Sequence, residues 1–134
     1  MRCSDVDVGD VVPETHPDTS LEKVRQFVRA SGMDFPRFTD HDAARREGLP
    51  GALVPGIMSQ GFLAVMVHTW APGARIRMLD TVFRNPIVVG TKATCVGAVT
   101  DVDEDQCTIE VDLTIVDENG LTTVLGTALV ELDD

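Results

Sequence analysis

The segment from Ser31 to Asp40, SGMDFPRFTD, contains the one acidic side chain with a serious claim to catalysis, Asp34. A carboxylate that faces a bound substrate can act as a general acid or base. The nearest histidine, His41, falls on the first turn of a predicted short helix, where we expect a surface position. The alternative for Asp34 is a solvent-facing loop carboxylate. The sequence therefore offers a single acid for proton transfer, without a histidine beside it.

A second feature that could take part in a reaction is the start of a long apolar helix, predicted from Gly56 to about Trp70. The first turn of a helix carries backbone N–H groups without intrahelical acceptors, and a glycine allows a ligand to approach them closely. Gly56, Ile57 and Met58 would supply these donors after Pro55. An oxygen that develops negative charge can be stabilised at such a place. The simpler interpretation, that Pro55-Gly56 only starts a buried helix, is compatible with this one.

Other reaction centres find little support in the sequence. The three histidines are scattered and no cluster of His, Cys and Asp has ligand spacing, so neither a metal nor another cofactor is predicted. No G-x-S-x-G motif occurs, and the three cysteines lie far apart without a C-x-x-C pair. Ser59, on the first turn of the long helix, can bind a ligand or, more commonly, hydrogen-bond to its own helix.

Composition and charge narrow the classes of partner. The 134 residues suffice for one core, and we predict a single domain over residues 1–134. A net charge of −11 disfavours nucleic acid and anionic membranes, and no apolar run reaches the roughly 18 residues of a membrane span. The N-terminus lacks the apolar core of a signal peptide, so we expect a cytoplasmic protein. Every Lys and Arg lies at or before Lys92, so an anionic ligand would dock on the first two thirds of the chain.

The first half of the chain has a helical pattern of apolar residues. A helix is predicted from about Ser20 to Ala30, with Thr19 and Glu22 as a capping box. Asp40 can cap a second, short helix over His41 to Glu47. The long helix from Gly56 is apolar on nearly all sides, so we expect it to be buried by a sheet or between subunits.

The remaining segments alternate with a period of two. Short strand-like pieces are predicted at Val6 to Val12 and Glu14 to Pro17, interrupted at Pro13. Asn119-Gly120 indicates a hairpin, because both residues tolerate positive φ. Four further strands are expected at about residues 75–83, 92–102, 107–116 and 121–131. An α+β domain with an antiparallel meander follows from this order.

Residues 30–67 resemble the active-site segment of the MaoC-like hydratases and dehydratases. In that family a motif close to S-G-D-x-N-P-x-H-x-D precedes a short helix, a small-residue loop and a long apolar helix. Met33 and Phe38 fall where the family has its catalytic Asp and His. The resemblance implies a retained scaffold whose proton-transfer pair is replaced by apolar side chains. The positions that match without gaps are Ser31, Gly32, Pro36, Asp40, Ala44, Gly48 and Gly56.

Two further segments carry the resemblance. Val8-Gly9-Asp10 resembles the opening V-G-D of the family, and residues 83–91, FRNPIVVGT, resemble its F-x-x-P-V-x-x-G-D. The family implies a hotdog fold, in which a curved antiparallel sheet wraps around the helix at about 56–70. It also implies a homodimer that builds its site at the interface, with the carbonyl of an acyl thioester at Pro55 and Gly56. We place Arg84 among the substrate-binding residues.

The resemblance implies an acyl-thioester hydratase or dehydratase with a non-standard site, acting on a CoA- or carrier-protein-linked substrate in polyketide- or fatty-acid-like specialised metabolism. Met33 and Phe38 would shape an apolar pocket, while Asp34 or the substrate itself would manage protons. A different class of function is a non-catalytic hotdog subunit or ligand-binding protein that partners an active paralogue in a heterodimer. A third reading, a hotdog thioesterase, requires Asp34 or Asp40 to face the pocket.

Overall fold

The computed structural model describes residues 1–133. After a short 3₁₀ turn at Cys3–Asp5, the elements are β1 (Val11–Thr15), α1 (Leu21–Ser31), α2 (Pro36–Thr39), α3 (His41–Arg46), α4 (Gly56–Trp70), β2 (Arg75–Phe83), β3 (Ala93–Asp103), β4 (Thr108–Asp117) and β5 (Thr122–Glu131).

The five strands form one antiparallel sheet in the order β1-β3-β4-β5-β2. The helix α4 packs against this sheet and buries Leu63, Met66 and Val67 completely. Opposite them, alternate residues of β4, such as Val111 and Leu113, are also buried. The core therefore lies between the sheet and α4, because the period-two pattern of the strands turns one apolar face towards the helix.

Two glycines in the sheet allow α4 to approach closely. A Cβ on Gly97 in β3 would lie 3.3 Å from Cε of Met66, and one on Gly126 in β5 would lie 3.3 Å from Cδ1 of Leu63. Both distances are shorter than ordinary contact, so a side chain at either position would push the helix residue away.

The predicted strands of the second half agree with the structure to within one residue. In the β4–β5 hairpin, Gly120 has a φ of 79°, whereas Asn119 has no positive φ. The carboxylate of Asp117 accepts the backbone N–H groups of Asn119 and Leu121, both at 2.9 Å. The hairpin prediction at Asn119-Gly120 is confirmed, with only the glycine in the left-handed region.

The prediction that Pro13 interrupts the N-terminal strand is wrong. Pro13 lies inside β1, which runs without a break from Val11 to Thr15. The strand is at the edge of the sheet, where a missing N–H on the outer side costs no ladder hydrogen bond. The register shifts between Val12 and Thr15, which accommodates the proline ring.

The first helix is capped one residue later than predicted. The hydroxyl of Ser20, and not that of Thr19, accepts the backbone N–H of Lys23 at 3.3 Å. Thr19 is buried, and its hydroxyl donates to the carbonyl of Thr91 at 2.5 Å. The threonine therefore ties α1 to the segment before β3, a long-range contact that local sequence does not reveal.

The long helix is buried on one side only within this chain. The sheet covers the side of Leu63, Met66 and Val67, whereas Ile57 and Val65 of α4 are 53% and 61% exposed in the single chain. Burial of this second side between subunits stays a prediction. Within residues 1–133, neither α4 nor a shorter helix has the length and apolar character needed to cross a membrane.

Candidate functional site

The short helices α2 and α3 set the course of the segment that carries Met33, Asp34 and Phe38. Gly32 ends α1 with a φ of 74°, and Asp40 separates α2 from α3. The carboxylate of Asp40 accepts the N–H groups of Asp42 and Ala43 at 2.9 and 3.2 Å. The Ala43 N–H, followed by that of Asp42, holds the pKa of this carboxyl below its usual range. The predicted helix cap at Asp40 is confirmed.

The loop that leads into α4 is fixed by backbone hydrogen bonds to two other segments. The N–H of Val54 donates to the carbonyl of Ile87 at 2.9 Å, and the N–H of Val89 donates to Ala52 at 2.8 Å. The N–H of Leu53 donates to the carbonyl of Arg37 in α2 at 2.9 Å. The start of α4 therefore has a fixed position relative to α2 and to the β2–β3 connection.

His41 takes part in the same arrangement, and the expected surface position is wrong. Its side chain is half-buried, and Nδ1 accepts the backbone N–H of Ala52 at 3.0 Å. The ring therefore faces the loop behind the helix start. Gly51, which precedes Ala52, is buried, and a Cβ at this position would lie 3.0 Å from Nδ1 of His41.

A cavity of about 390 Å³ opens at the N-terminus of α4. Three of the predicted site residues line it: Phe38, Gly56 and Arg84. The other lining side chains are mainly apolar and come from the loop, the end of β2, the β2–β3 connection and β5. They include Leu53, Val54, Ser59, Phe83, Asn85, Pro86, Ile87 and Val124.

The first turn of α4 offers backbone donors to this cavity. The helix begins at Gly56 after Pro55, and within residues 1–133 no side chain caps it. The hydroxyl of Ser59 donates to the carbonyl of Gly56 at 2.7 Å, as expected for a serine in a helix. Ile57 and Met58 contribute N–H groups to the first turn, whereas their side chains are not among those that line the cavity.

Two aromatic side chains shape the cavity. Phe38 lies edge-on to Phe35, with ring centroids 6.2 Å apart. Phe83, at the end of β2, reaches over Gly56, so that a Cβ there would be 3.1 Å from its Cζ. Sequence reasoning missed Phe83 as a site residue, although it opens the second segment of family resemblance, FRNPIVVGT.

Arg84 supplies the positive charge of the cavity. Its backbone N–H donates to the carbonyl of Thr123 at 2.8 Å, which fixes the residue next to Phe83. The side chain is exposed and forms no ion pair with any group in residues 1–133. An exposed guanidinium at the rim can bind an anionic group of a ligand without losing an existing partner.

No carboxylate or imidazole lines this cavity within the described part of the chain. Asp34 is exposed and lines a separate cavity of about 510 Å³ with Arg25, Arg29 and Thr39. Met33 is half-buried, and its backbone bonds to Val28 and Phe35 at 3.1 and 2.8 Å. The structure therefore brings Phe38, Gly56 and Arg84 together and leaves Asp34 outside the group.

The other reactive side chains lie elsewhere. His68 is exposed, and Nδ1 of the exposed His16 lies 3.4 Å from the hydroxyl of Thr94. Burial raises the pKa of the Cys95 thiol to about 11, so this cysteine is a protonated core residue. Within residues 1–133, no three His, Cys, Asp or Glu side chains are grouped so that they could hold a metal ion.

Comparison with known proteins concerns the fold and the family of the chain. No curated protein sequence matches the chain. The structure of an (R)-hydratase from A. caviae involved in PHA biosynthesis superposes with a TM-score of 0.90 at 21% identity, covering 95% of this chain and 97% of that one. R-hydratase PhaJ1 from Pseudomonas aeruginosa superposes with a TM-score of 0.92 at 16% identity, covering 99% of this chain and 86% of that one. A chain of the ChsH1-ChsH2 complex from Mycobacterium tuberculosis superposes with a TM-score of 0.86 at 23% identity, covering 95% of this chain and 98% of that one.

At these identities the similarity establishes the fold, and the predicted α+β hotdog architecture is confirmed. The sequence itself matches the family model of the MaoC-like domain over residues 9–119. That match spans most of the chain, from β1 through the β4–β5 turn, and includes all the residues that line the cavity except Val124. The chain belongs to the MaoC-like dehydratase domain family.

Proposed function

We propose that this chain binds an acyl thioester, linked to CoA or to a carrier protein, at the N-terminus of α4, and that it works in hydratase or dehydratase chemistry. The observation that carries the proposal is the cavity of about 390 Å³ at Gly56, which combines helix-terminal N–H donors with apolar walls. Membership of the MaoC-like family supports the same ligand class.

Each part of the cavity matches one part of such a ligand. The thioester carbonyl would accept a hydrogen bond from the first turn of α4, where the helix dipole favours negative charge on oxygen. Phe38, Leu53 and Phe83 would surround the acyl portion, because removing apolar surface from water lowers the free energy. Arg84 would bind a phosphate of CoA or of the carrier arm.

Within residues 1–133, the cavity has no acid or base that could transfer a proton to or from the substrate. Addition or removal of water across the C2–C3 bond requires an acid and a base within hydrogen-bond reach of the substrate. We propose that a second hotdog chain supplies them, so that this chain is the binding subunit of a heterodimer. The ChsH1-ChsH2 complex, which has two components, is a structural neighbour.

Exposed apolar residues support association with a second chain. Strand β2 is an edge of the sheet, and its Met78 and Val82 are 47% and 50% exposed. Ile57 and Val65 of α4 are also exposed apolar residues. An unpaired edge strand with apolar side chains favours pairing with another strand.

A second candidate is a self-contained hydratase that acts as a homodimer. The structural similarity to the A. caviae (R)-hydratase is the observation that suggests it. In this case Asp34 or the substrate would have to provide proton transfer.

The test is to measure binding and turnover separately on the purified protein. Crotonyl-CoA and a panel of longer 2-enoyl and 3-hydroxyacyl thioesters would be titrated by calorimetry, and hydration would be followed by absorbance and mass spectrometry. We expect thioester binding without turnover. Turnover by the chain alone would favour the self-contained hydratase, and absence of binding to every thioester would contradict both candidates.

A further inference from the structure

Within the described residues 1–133, His41 makes the one side-chain hydrogen bond to the loop that precedes α4. Within residues 1–133, the backbone groups of residues 51–55 otherwise bond only to backbone, at Arg37, Ser59, Ile87 and Val89. The contact from Nδ1 to the N–H of Ala52 is 3.0 Å long and partly buried. Three residues separate Ala52 from the helix start at Gly56.

The loop is shaped to admit the imidazole. A Cβ on Gly51 would lie 3.0 Å from Nδ1 and 3.6 Å from Cε1 of His41, and 3.1 Å from Cγ1 of Val88. Leu53 forms an isolated antiparallel bridge with Val88, so the opposite side of the loop is also fixed. Because Gly51 is packed against both His41 and Val88, a shift of the ring or of Ala52 would displace the rest of the loop.

The hydrogen bond defines the chemical state of the ring. Nδ1 can accept the Ala52 N–H only with a free lone pair, so the proton of the neutral imidazole resides on Nε2. An unsatisfied N–H at a partly buried position costs free energy, which means that losing the acceptor destabilises this conformation of the loop. The side chain thus acts on Ala52 without facing the cavity at Gly56.

We propose that His41 is a positioning residue for the thioester site: by holding Ala52 through Nδ1, it fixes the loop that places the first N–H groups of α4 at the cavity. This inference rests on the function proposed above. It assigns His41 to the support of the site and not to proton transfer.

Three substitutions separate the hydrogen bond from the bulk and polarity of the ring. Asparagine carries its amide oxygen on Cγ, where histidine carries Nδ1, so His41→Asn retains the acceptor. Glutamine carries its oxygen one bond further out, so His41→Gln is polar with the acceptor misplaced. His41→Leu removes the acceptor altogether. Amide hydrogen exchange at residues 52–59, affinity for crotonyl-CoA and thermal unfolding would be measured for all three.

We expect His41→Gln and His41→Leu to bind crotonyl-CoA about five- to tenfold more weakly, the effect of one lost hydrogen bond. Exchange at Ala52, Val54 and Ser59 should accelerate in both, because these N–H groups are protected by hydrogen bonds to His41, Ile87 and Pro55. His41→Asn should remain within about twofold of the wild type in affinity and exchange, since it keeps the acceptor. Equal affinity and exchange in all variants would overturn the proposal, as would parallel losses in His41→Asn and His41→Gln.

Failure of the proposed function is distinguishable from failure of this inference. If the wild-type protein binds no thioester, the exchange measurement alone decides. Faster exchange at Val54 and Ser59 in His41→Gln, restored in His41→Asn, would support the positioning role without reference to a ligand, because their N–H groups are hydrogen-bonded on either side of the helix start. Faster exchange confined to Ala52 would overturn it, because the helix start would then not depend on His41.

Discussion

The ring of Phe83 lies directly over Gly56, with its Cζ, Cε2 and Cε1 atoms 3.1, 3.2 and 3.3 Å from the position of a Cβ at residue 56. Phe83 ends β2, whereas Gly56 begins α4. Because Phe83 is 53% exposed, the ring can move aside by a few tenths of an ångström. The contact therefore shapes the entrance to the helix N-terminus more than it stabilises the fold.

Gly56→Ala tests whether that entrance must stay open. The added methyl group would displace Phe83 and occupy space beside the first-turn N–H groups, so we expect the affinity for crotonyl-CoA to fall about tenfold or more. The free energy of unfolding should change by no more than about 1 kcal/mol, because alanine is the better helix former and the ring can shift. Calorimetric titration and thermal unfolding measure the two effects.

Gly61→Ala is the matched control on the same helix. A Cβ at Gly61 meets no atom within 4 Å, so the substitution should stabilise the helix by up to about 1 kcal/mol and leave thioester affinity unchanged. Wild-type affinity in Gly56→Ala would mean that the ligand does not approach the start of α4.

The site was partly predictable from sequence because its local signals agree with the fold. The Pro-Gly start of α4 and the spacing from Phe38 to Gly56 fixed one wall of the cavity. The position of Phe83 was not predictable locally, since it depends on β2 lying at the sheet edge beside β5. The separation of Asp34 from the cavity likewise depends on α2, which begins at Pro36 and had not been predicted.

Glu131 links two arginines at the far end of the sheet and makes part of the stability pH-dependent. Hydrogen bonds from Arg75 and then Arg77 hold the pKa of the Glu131 carboxyl below its usual range. Because the folded state has the lower pKa, its stabilisation is present above the ordinary glutamate value and is lost as the pH falls through the lowered one.

Glu131→Gln should therefore have a lower unfolding temperature than the wild type at pH 7, and the difference should shrink towards about pH 3, below the ordinary glutamate value. High salt should also reduce it, because exposed ion pairs are screened. Glu118→Gln is the control: it makes the same charge change at an exposed loop residue that has no ion pair in residues 1–133, so it should not show this pH-dependent difference. A constant difference between wild type and Glu131→Gln from pH 7 to the acid end would refute the assignment.

Met33 and Phe38, which we align with the acid and histidine of the family, are both half-buried. The double variant Met33→Asp/Phe38→His should raise hydration of crotonyl-CoA by about a hundredfold or more over the wild type, the range that positioned acid–base groups contribute. Each single variant should stay near the wild-type rate, since addition of water needs both groups. Intact binding with no turnover in the double variant would mean that the scaffold no longer places these side chains at the substrate.

Asp34 and Arg84 give opposite expectations because only Arg84 lines the cavity at α4. Asp34→Asn should change crotonyl-CoA affinity and any turnover by less than about twofold, since surface substitutions away from a site have small effects. Arg84→Gln should weaken binding about tenfold by removing a charge-assisted hydrogen bond to phosphate. Both variants would be compared by calorimetry and by the absorbance assay at the same ionic strength. A collapse of turnover in Asp34→Asn with intact binding would instead assign proton transfer to Asp34 and require the Ser31–Asp40 segment to rearrange when substrate binds.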